Sequence, residues 1–221
     1  MQMKKLALYG AGDLGLGLLE VYRSCELASP TYADVFYVDD DPQAVAPDGI
    51  RLVDFDGLLR EAAESDVRVA VCVGEPRVRQ AIASRVRGAG LRLATLVDPS
   101  AKVSPRAELG EGCIVSGWSA VGANSVVGEN SLLLGAIMSH NCRIGASCVL
   151  DSRSTLSCHV TVGDQTYVRI GAMVREGVTI GQRAIVDMGA AVFLDVEDDI
   201  YVTGNPARPM RRNEDQQVFR G

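Results

Sequence analysis

Histidine is nearly absent from this chain. Its 221 residues include two, His140 and His159, and a single tryptophan, Trp118. So small a supply of imidazole leaves few ligands for zinc, and the six cysteines (Cys25, Cys72, Cys113, Cys142, Cys148, Cys158) show no CxxC spacing to make up the number. No metal is expected. Basic charge is also scarce: 22 Lys and Arg against 28 Asp and Glu give a net charge of −6, with no basic stripe for nucleic acid or anionic lipid. No apolar run reaches the roughly 18 residues of a membrane span. The opening MQMKKLALYGAG lacks the apolar stretch and small-residue cleavage site of a secretory signal. The chain therefore reads as cytoplasmic, with reduced and mostly structural cysteines, without nucleic-acid or membrane partners, and long enough for two small domains.

Residues 1–96 alternate short apolar runs with helical patterns. LALYG (6–10), VFYVD (35–39), RLVD (51–54), VAVCVG (69–74) and LRLATLV (91–97) read as strands, while 16–27, 55–65 and 75–90 read as helices. Apolar strands joined by crossover helices imply a parallel sheet covered on both faces, a small Rossmann-like α/β domain. GAGDLG (10–15) follows a strand and opens a helix, the setting in which glycines let a phosphate approach backbone N–H groups. Asp39 ends the second strand, about where a dinucleotide fold keeps its ribose-binding acid. Fewer than 100 residues precede the next segment, too few for both halves of a full dinucleotide fold.

From 97 to 221 the helical period gives way to a period of six. Aliphatic residues fall at Val97, Val103, Leu109, Val115, Val121, Val127 and Leu133, then after a five-residue step at Met138, and again every six from Ile144 to Val192. None of these 17 positions is polar. Four residues after most of them stands a small residue, such as Cys113, Ser119, Ser125, Ser131, Cys142 and Cys148. Such a pattern marks a β-helix of triangular section, with the aliphatic residue inside the prism and the small one at the inward corner. Counting from Met138 sends Cys142 inward and His140 outward, with Cys158 and His159 beside it one coil on. The shortened step just before His140 is expected to kink the coil and set the ring, as a bulge re-aims a side chain. A neutral outward imidazole can accept the proton of an attacking amine or hydroxyl. Trp118 should also face outward, into an interface between subunits.

The repeat, the GNPAR sequence (204–208) that closes it and the α/β domain before it together resemble the hexapeptide-repeat sugar acyltransferases, in particular the group with bacillosamine-pathway N-acetyltransferases and sialic acid O-acetyltransferases. The resemblance implies a left-handed parallel β-helix, a homotrimer, and acetyl-CoA held between neighbouring prisms. It implies direct transfer to the amine, or hydroxyl, of a free or nucleotide-linked sugar, with His140 as general base. The family usually carries an acid after this histidine; HNCRIG (140–145) has Asn141 there, which hydrogen-bonds but brings no charge. A backbone N–H near Cys158 is implied as oxyanion donor. Gly204, Asn205, Pro206 and Arg208, in a turn with Arg211 and Arg212 beyond it, are implied to border the coenzyme. Gly10, Gly12, Asp39 and Asp40 are implied to hold the sugar nucleotide, and Arg79 is a phosphate partner or else a surface arginine on a solvated helix. The family commonly has a histidine within the glycine loop, where this chain has Asp13 and Leu14. The last residues, NEDQQVFRG, are expected to fray. Two other classes stay open: a non-catalytic binding or scaffold protein that kept the fold, and a γ-type carbonic anhydrase, whose three zinc histidines exceed the two available here.

Overall fold

The computed structural model describes residues 4–219. Its first part is built on five parallel strands, β1 (Lys4–Tyr9), β2 (Tyr32–Val38), β3 (Leu52–Val53), β4 (Val67–Val71) and β5 (Arg92–Leu93), in the order β3-β2-β1-β4-β5. The crossovers are α1 (Asp13–Ala28), α2 (Phe55–Glu64) and α3 (Pro76–Gly88). Burial on both faces explains the unbroken apolar runs, since Leu6, Ala7, Leu8, Phe36, Tyr37 and Val38 have no exposed surface. The run 91–97, expected as one strand, serves two sheets. Ala94 N–H donates to Val69 O (2.8 Å) at the edge of the parallel sheet, and Leu96 N–H donates to Cys113 O (2.9 Å) in the first coil of the prism. The chain thus passes from one sheet to the other without a linker.

From Leu96 the backbone winds into a three-faced parallel β-helix of two-residue strands. The aliphatic positions fill its centre, with Val121, Val127, Leu133, Met138, Leu150, Leu156 and Val168 all buried. The corner positions are buried too, and three of their small hydroxyls are satisfied one coil on: Ser125 Oγ donates to Ser139 O (3.0 Å), Ser131 Oγ to Gly145 O (2.9 Å) and Thr166 Oγ1 to Gly181 O (2.7 Å), whereas buried Ser154 Oγ has no partner among the described residues. The five-residue step does not kink the stack. Strands on either side of it pair in the same register, Ala120 with Ile137 and Leu132 with Val149, because the missing residue is taken from the corner at 134–136, where Gly135 has φ +67°. An antiparallel hairpin, Ile200–Thr203 and Arg208–Arg212, extends one face beyond the last coil.

That face carries outward Leu96, Ile114, Leu132, Val149, Tyr167 and Ile185, an apolar stripe that would be exposed on an isolated prism. Here it is buried against Leu18, Leu19, Val21 and Tyr22 of α1. A second contact is polar. Arg79 of α3 is fully buried, and its guanidinium donates to the carbonyls of Val71 (2.8 Å), Val73 (2.9 Å) and, across the junction, Asn130 (2.7 and 3.1 Å). Asn130 Nδ2 returns a bond to Arg79 O (3.0 Å) and another to Ser147 Oγ (2.9 Å). Arg79 is therefore neither a phosphate ligand nor a surface residue: every one of these bonds goes to the protein itself. Burial lowers its pKa to about 10, which leaves the group cationic at neutral pH. The tail, expected to fray, is docked through residue 219. Val218 and Phe219 N–H groups donate to Glu75 Oε2 (2.9 and 3.1 Å), Arg169 Nη2 donates to Val218 O (2.8 Å), and the Phe219 ring meets Tyr167 edge-on. The rest of that expectation, residues 220–221, lies outside the described residues.

Truncating Arg79 to alanine would leave three buried carbonyls without a donor and open a cavity at the junction. It is expected to destabilise the protein by about 3 kcal/mol or more. A urea denaturation midpoint indistinguishable from wild type would show that the junction does not depend on the Arg79 bonds.

Candidate active site

His140 stands on the corner between the strands Ile137–Met138 and Arg143–Ile144, exposed, as its position in the repeat predicts. Cys142 points inward and is fully buried, its Sγ donating to Ser157 O (3.0 Å). Close stacking fixes the corner from below. A Cβ on Gly122 would lie 2.5 Å from the carbonyl of Ser139 and 2.8 Å from the amide nitrogen of His140, so only glycine fits under the loop that carries the ring. Asn141 follows in the left-handed conformation (φ +59°), which asparagine tolerates better than most side chains. Its Nδ2 lies 2.7 Å from His140 Nδ1, and its Oδ1 accepts from Asn124 Nδ2 (3.2 Å) one coil earlier. One coil later His159 sits edge-on to His140, with ring centroids 5.7 Å apart. Ser157 N–H donates to Val174 O and His159 N–H to His140 O, which leaves the N–H of Cys158 between them out of the coil-to-coil bonds among the described residues. Sequence reasoning placed His140, Asn141, Cys158 and His159 together; it missed Asn124, for which the signal was the corner position it shares with Asn141.

The glycine loop forms a second locus. Gly10 has φ +114°, and a Cβ there would meet Cys72 O at 2.8 Å. Ala11 N–H donates to Asp39 Oδ2 (2.8 Å), and Asp41 N–H to Asp39 Oδ1 (3.0 Å), so this carboxylate ties the loop to the end of β2. Gly12 begins α1 without a side-chain cap, and Ala11, Gly12, Asp13, Asp39 and Asp41 line a cavity of about 430 Å³. Asp40 does not line it. Its Oδ2 accepts from Tyr9 Oη (2.6 Å) and Arg85 Nη1 (2.7 Å), and Arg85 in turn lies 3.7 Å over the Phe55 ring. Burial, followed by this carboxylate, pushes the Tyr9 phenol up. The bend at Asp40, just past the end of β2, explains the exchange: it turns Asp40 toward Tyr9 and Arg85 while Asp41 N–H bonds to Asp39 Oδ1, so Asp41 joins Asp39 where Asp40 was expected.

Gly204, Asn205 and Pro206 form the exposed tip of the hairpin. Arg208 borders an apolar cavity of about 340 Å³ with Val192, Leu194 and Ile200, and Arg211 stacks 4.7 Å over Tyr201. Three coils separate His140 from this end, since Ile137 pairs with Thr155, Thr155 with Met173 and Met173 with Ala191. At roughly 4.8 Å per coil that is about 14 Å along the stack. Trp118 is 89% exposed and flanks a groove of about 610 Å³ between the prism and α1, lined also by Leu14, Leu18, Val21 and Arg153. Among the described residues no three His, Cys, Asp or Glu side chains gather as metal ligands, and no helix is long and apolar enough to cross a membrane.

No protein-family model matches the chain. Individual proteins do. A GDP-perosamine N-acetyltransferase of Escherichia coli O157:H7 is 26% identical over 96% of this chain and 98% of its own length. The crystal structure of PerB from Caulobacter crescentus, in complex with CoA and GDP-perosamine, superposes with a TM-score of 0.85 at 33% identity, covering 94% of this chain and 97% of that one. This chain belongs to the hexapeptide-repeat sugar acyltransferases. The acetyltransferase domain of PglB from Neisseria gonorrhoeae, in complex with acetyl coenzyme A, gives a TM-score of 0.86 at 30% identity over all of that domain.

For a sugar acyltransferase built this way, adding one methyl group under the His140 corner is a sharp test. Gly122→Ala must displace the loop, and a shift of about 1 Å at a reacting group costs on the order of 100-fold in kcat; a steady-state rate within a factor of two of wild type would show that the corner does not set the chemistry. The thiols make a second test. Burial pushes Cys72 and Cys148 up to about 12 and Cys113 to about 11, and also raises Cys142 and Cys25. A raised thiol pKa means less thiolate at neutral pH. Alkylation followed by mass spectrometry should therefore mark half-buried Cys158 ahead of the other five.

Proposed function

We propose that this acyltransferase moves the acetyl group of acetyl-CoA to the amine of a nucleotide-linked amino sugar, by direct attack at the thioester and with His140 as general base. The observation that carries the reading is the His140 corner itself: an exposed ring, held at Nδ1, one coil from a backbone N–H that no carbonyl of the described chain accepts. Full-length relatives that act on or bind a GDP-linked amino sugar favour the amine over a hydroxyl.

The roles then follow from chemistry. The amine nitrogen attacks the thioester carbonyl, and His140 Nε2 accepts the proton that the nitrogen must lose. Negative charge that develops on the carbonyl oxygen is met by the N–H of Cys158. Collapse of the tetrahedral intermediate expels the CoA thiolate, which takes the proton back from His140, so that the products are the acetamido sugar and CoA. Cys158 acts through its backbone and forms no acyl-enzyme. Residues 1–96 hold the sugar nucleotide at the cavity lined by Ala11, Gly12 and Asp39, with buried Gly10 shaping the turn behind it and not lining it, and residues 97–221, a left-handed prism, carry the chemistry. The coenzyme lies along the corner in a trimer of prisms, from His140 to Gly204, Asn205, Pro206 and Arg208, a span that suits an elongated cosubstrate. Both substrates place the reaction in the cytoplasm.

Rates of CoA release measured with acetyl-CoA against GDP-perosamine and UDP-linked amino sugars test the reading. His140→Ala is expected to lower kcat by about 100- to 10,000-fold with little change in the KM for acetyl-CoA. An unchanged kcat removes His140 from the reaction, and no turnover with any amino or hydroxy sugar supports a scaffold role instead.

A further inference from the structure

The site has a feature that the usual acid after the histidine would forbid. Asn124, Asn141 and His140 form a line across two coils, with Asn124 Nδ2 donating to Asn141 Oδ1 (3.2 Å) and Asn141 Nδ2 set 2.7 Å from His140 Nδ1. An amide has a donor at one end and an acceptor at the other, so the polarity of such a line is all or none. In the arrangement just given, Asn141 donates to a bare Nδ1 and the proton of the neutral ring sits on Nε2. With both amides turned over, Nδ1–H donates to Asn141 Oδ1, Asn141 Nδ2–H donates to Asn124 Oδ1, and Nε2 is bare. Each arrangement makes two hydrogen bonds. Only the second offers Nε2 as a base.

A carboxylate at position 141 accepts and cannot donate, so it would hold the second arrangement by itself. With asparagine there, the choice passes to whichever group fixes the Asn141 amide. We propose that Asn124 is a positioning residue that sets, through the Asn141 amide, which nitrogen of His140 carries the proton. This rests on the reading of His140 as base. Its other neighbours cannot make the choice. His159 meets the ring edge-on at 5.7 Å, Cys142 Sγ, which donates to Ser157 O, lies 3.8 Å from the backbone O of His140, and Cys158 and Glu176 occupy the equivalent corner on the next two coils. On the other side, Arg106 lies beneath Asn124 and receives Asn124 N–H at its backbone O (3.1 Å).

The test uses two variants that suit the left-handed backbone of Asn124 (φ +59°). In Asn124→Asp the carboxylate only accepts, so Asn141 must donate to it and turn its oxygen toward Nδ1–H. Asn124→Gly leaves the Asn141 amide without a guide. Imidazole ¹⁵N shifts of the whole protein, assigned against a His159→Gln variant, report the tautomer directly. Asn124→Asp is expected to raise the Nδ1–H fraction about fivefold, the effect of one ordinary hydrogen bond, and to keep or raise kcat. Asn124 donates to Asn141 in the structure, the arrangement that keeps the ring proton on Nε2, so Asn124→Gly is expected to release that hold and raise the Nδ1–H fraction and kcat about twofold, less than Asn124→Asp, with the KM for acetyl-CoA unchanged. Identical tautomer ratios in wild type and both variants would overturn the proposal. A His140→Ala enzyme with unchanged kcat would instead sink the base itself, while a tautomer ratio that still answered to residue 124 would leave the positioning role standing.

Discussion

Each corner of the prism stands directly over the last because the backbone of every coil is hydrogen-bonded to the next, and on this stacking the site depends. The ladder bonds run at 2.9 to 3.2 Å through the corner that carries His140: Asn141 N–H to Ala123 O at 2.9 Å, Ser139 N–H to Leu156 O at 2.9 Å, His159 N–H to His140 O at 3.2 Å. Residues at equivalent corners therefore form columns. Asn124, Asn141 and His159 share one such column with the same φ of +59°. Side chains far apart in sequence are thus brought within hydrogen-bonding or ring-contact distance by the repeat alone, without a loop being folded for the purpose. Steric contact tightens the arrangement further, since Gly122 leaves no room for a methyl group beneath the histidine loop.

A prism does not by itself hold a sugar nucleotide, and the junction with the α/β sheet determines whether the two loci keep a fixed separation. Three attachments of different kinds act there. The apolar stripe on one face is covered by α1, the chain changes sheets within the span from Ala94 to Leu96, and Arg79 spans the boundary with bonds to both sides. The last is unusual because no carboxylate meets the buried guanidinium. Its charge is offset by oriented carbonyl dipoles, an arrangement that is costly to desolvate and that weakens with each accepting carbonyl that is displaced. The docked tail adds a fourth tie through Glu75.

The prism was legible residue by residue, because a six-residue period leaves an aliphatic position that no other fold would repeat so many times. The outward direction of His140, the inward direction of Cys142 and their neighbours one coil on followed from counting. What counting could not give was the partner of a polar side chain. Arg79 reads as a phosphate partner or a solvated arginine, yet Arg79, Ala83 and Val86 are spaced as i, i+4 and i+7, the buried stripe of α3. The periodicity contained the answer, but the rule that arginine seldom goes inside overrode it. Asp40 was assigned by adjacency in VDDDP, where the bend just past the end of β2 selects Asp39 and Asp41. The tail looked too polar to dock, and its two anchors, Val218 and Phe219, are separated from the prism by an ordinary polar stretch. For Arg79 the pattern held the burial but not the partner, and for the tail the missing information was tertiary: a carbonyl, a ring or a carboxylate supplied by a distant segment.

The replacement of an acid by Asn141 is best understood within the same geometry. Position 141 requires a side chain that tolerates positive φ and hydrogen-bonds locally, a demand that asparagine and aspartate both meet. The fold is therefore indifferent to the exchange and the chemistry is not. Aspartate would bring a fixed charge and a fixed hydrogen-bond direction, whereas asparagine keeps the contact with Nδ1 and gives up the direction. The repeat supplies a direction of its own from one coil below, where the column places a second amide in reach of the first. A regular solenoid thus makes a substitution at one corner tolerable by offering the same spatial position again in its neighbour.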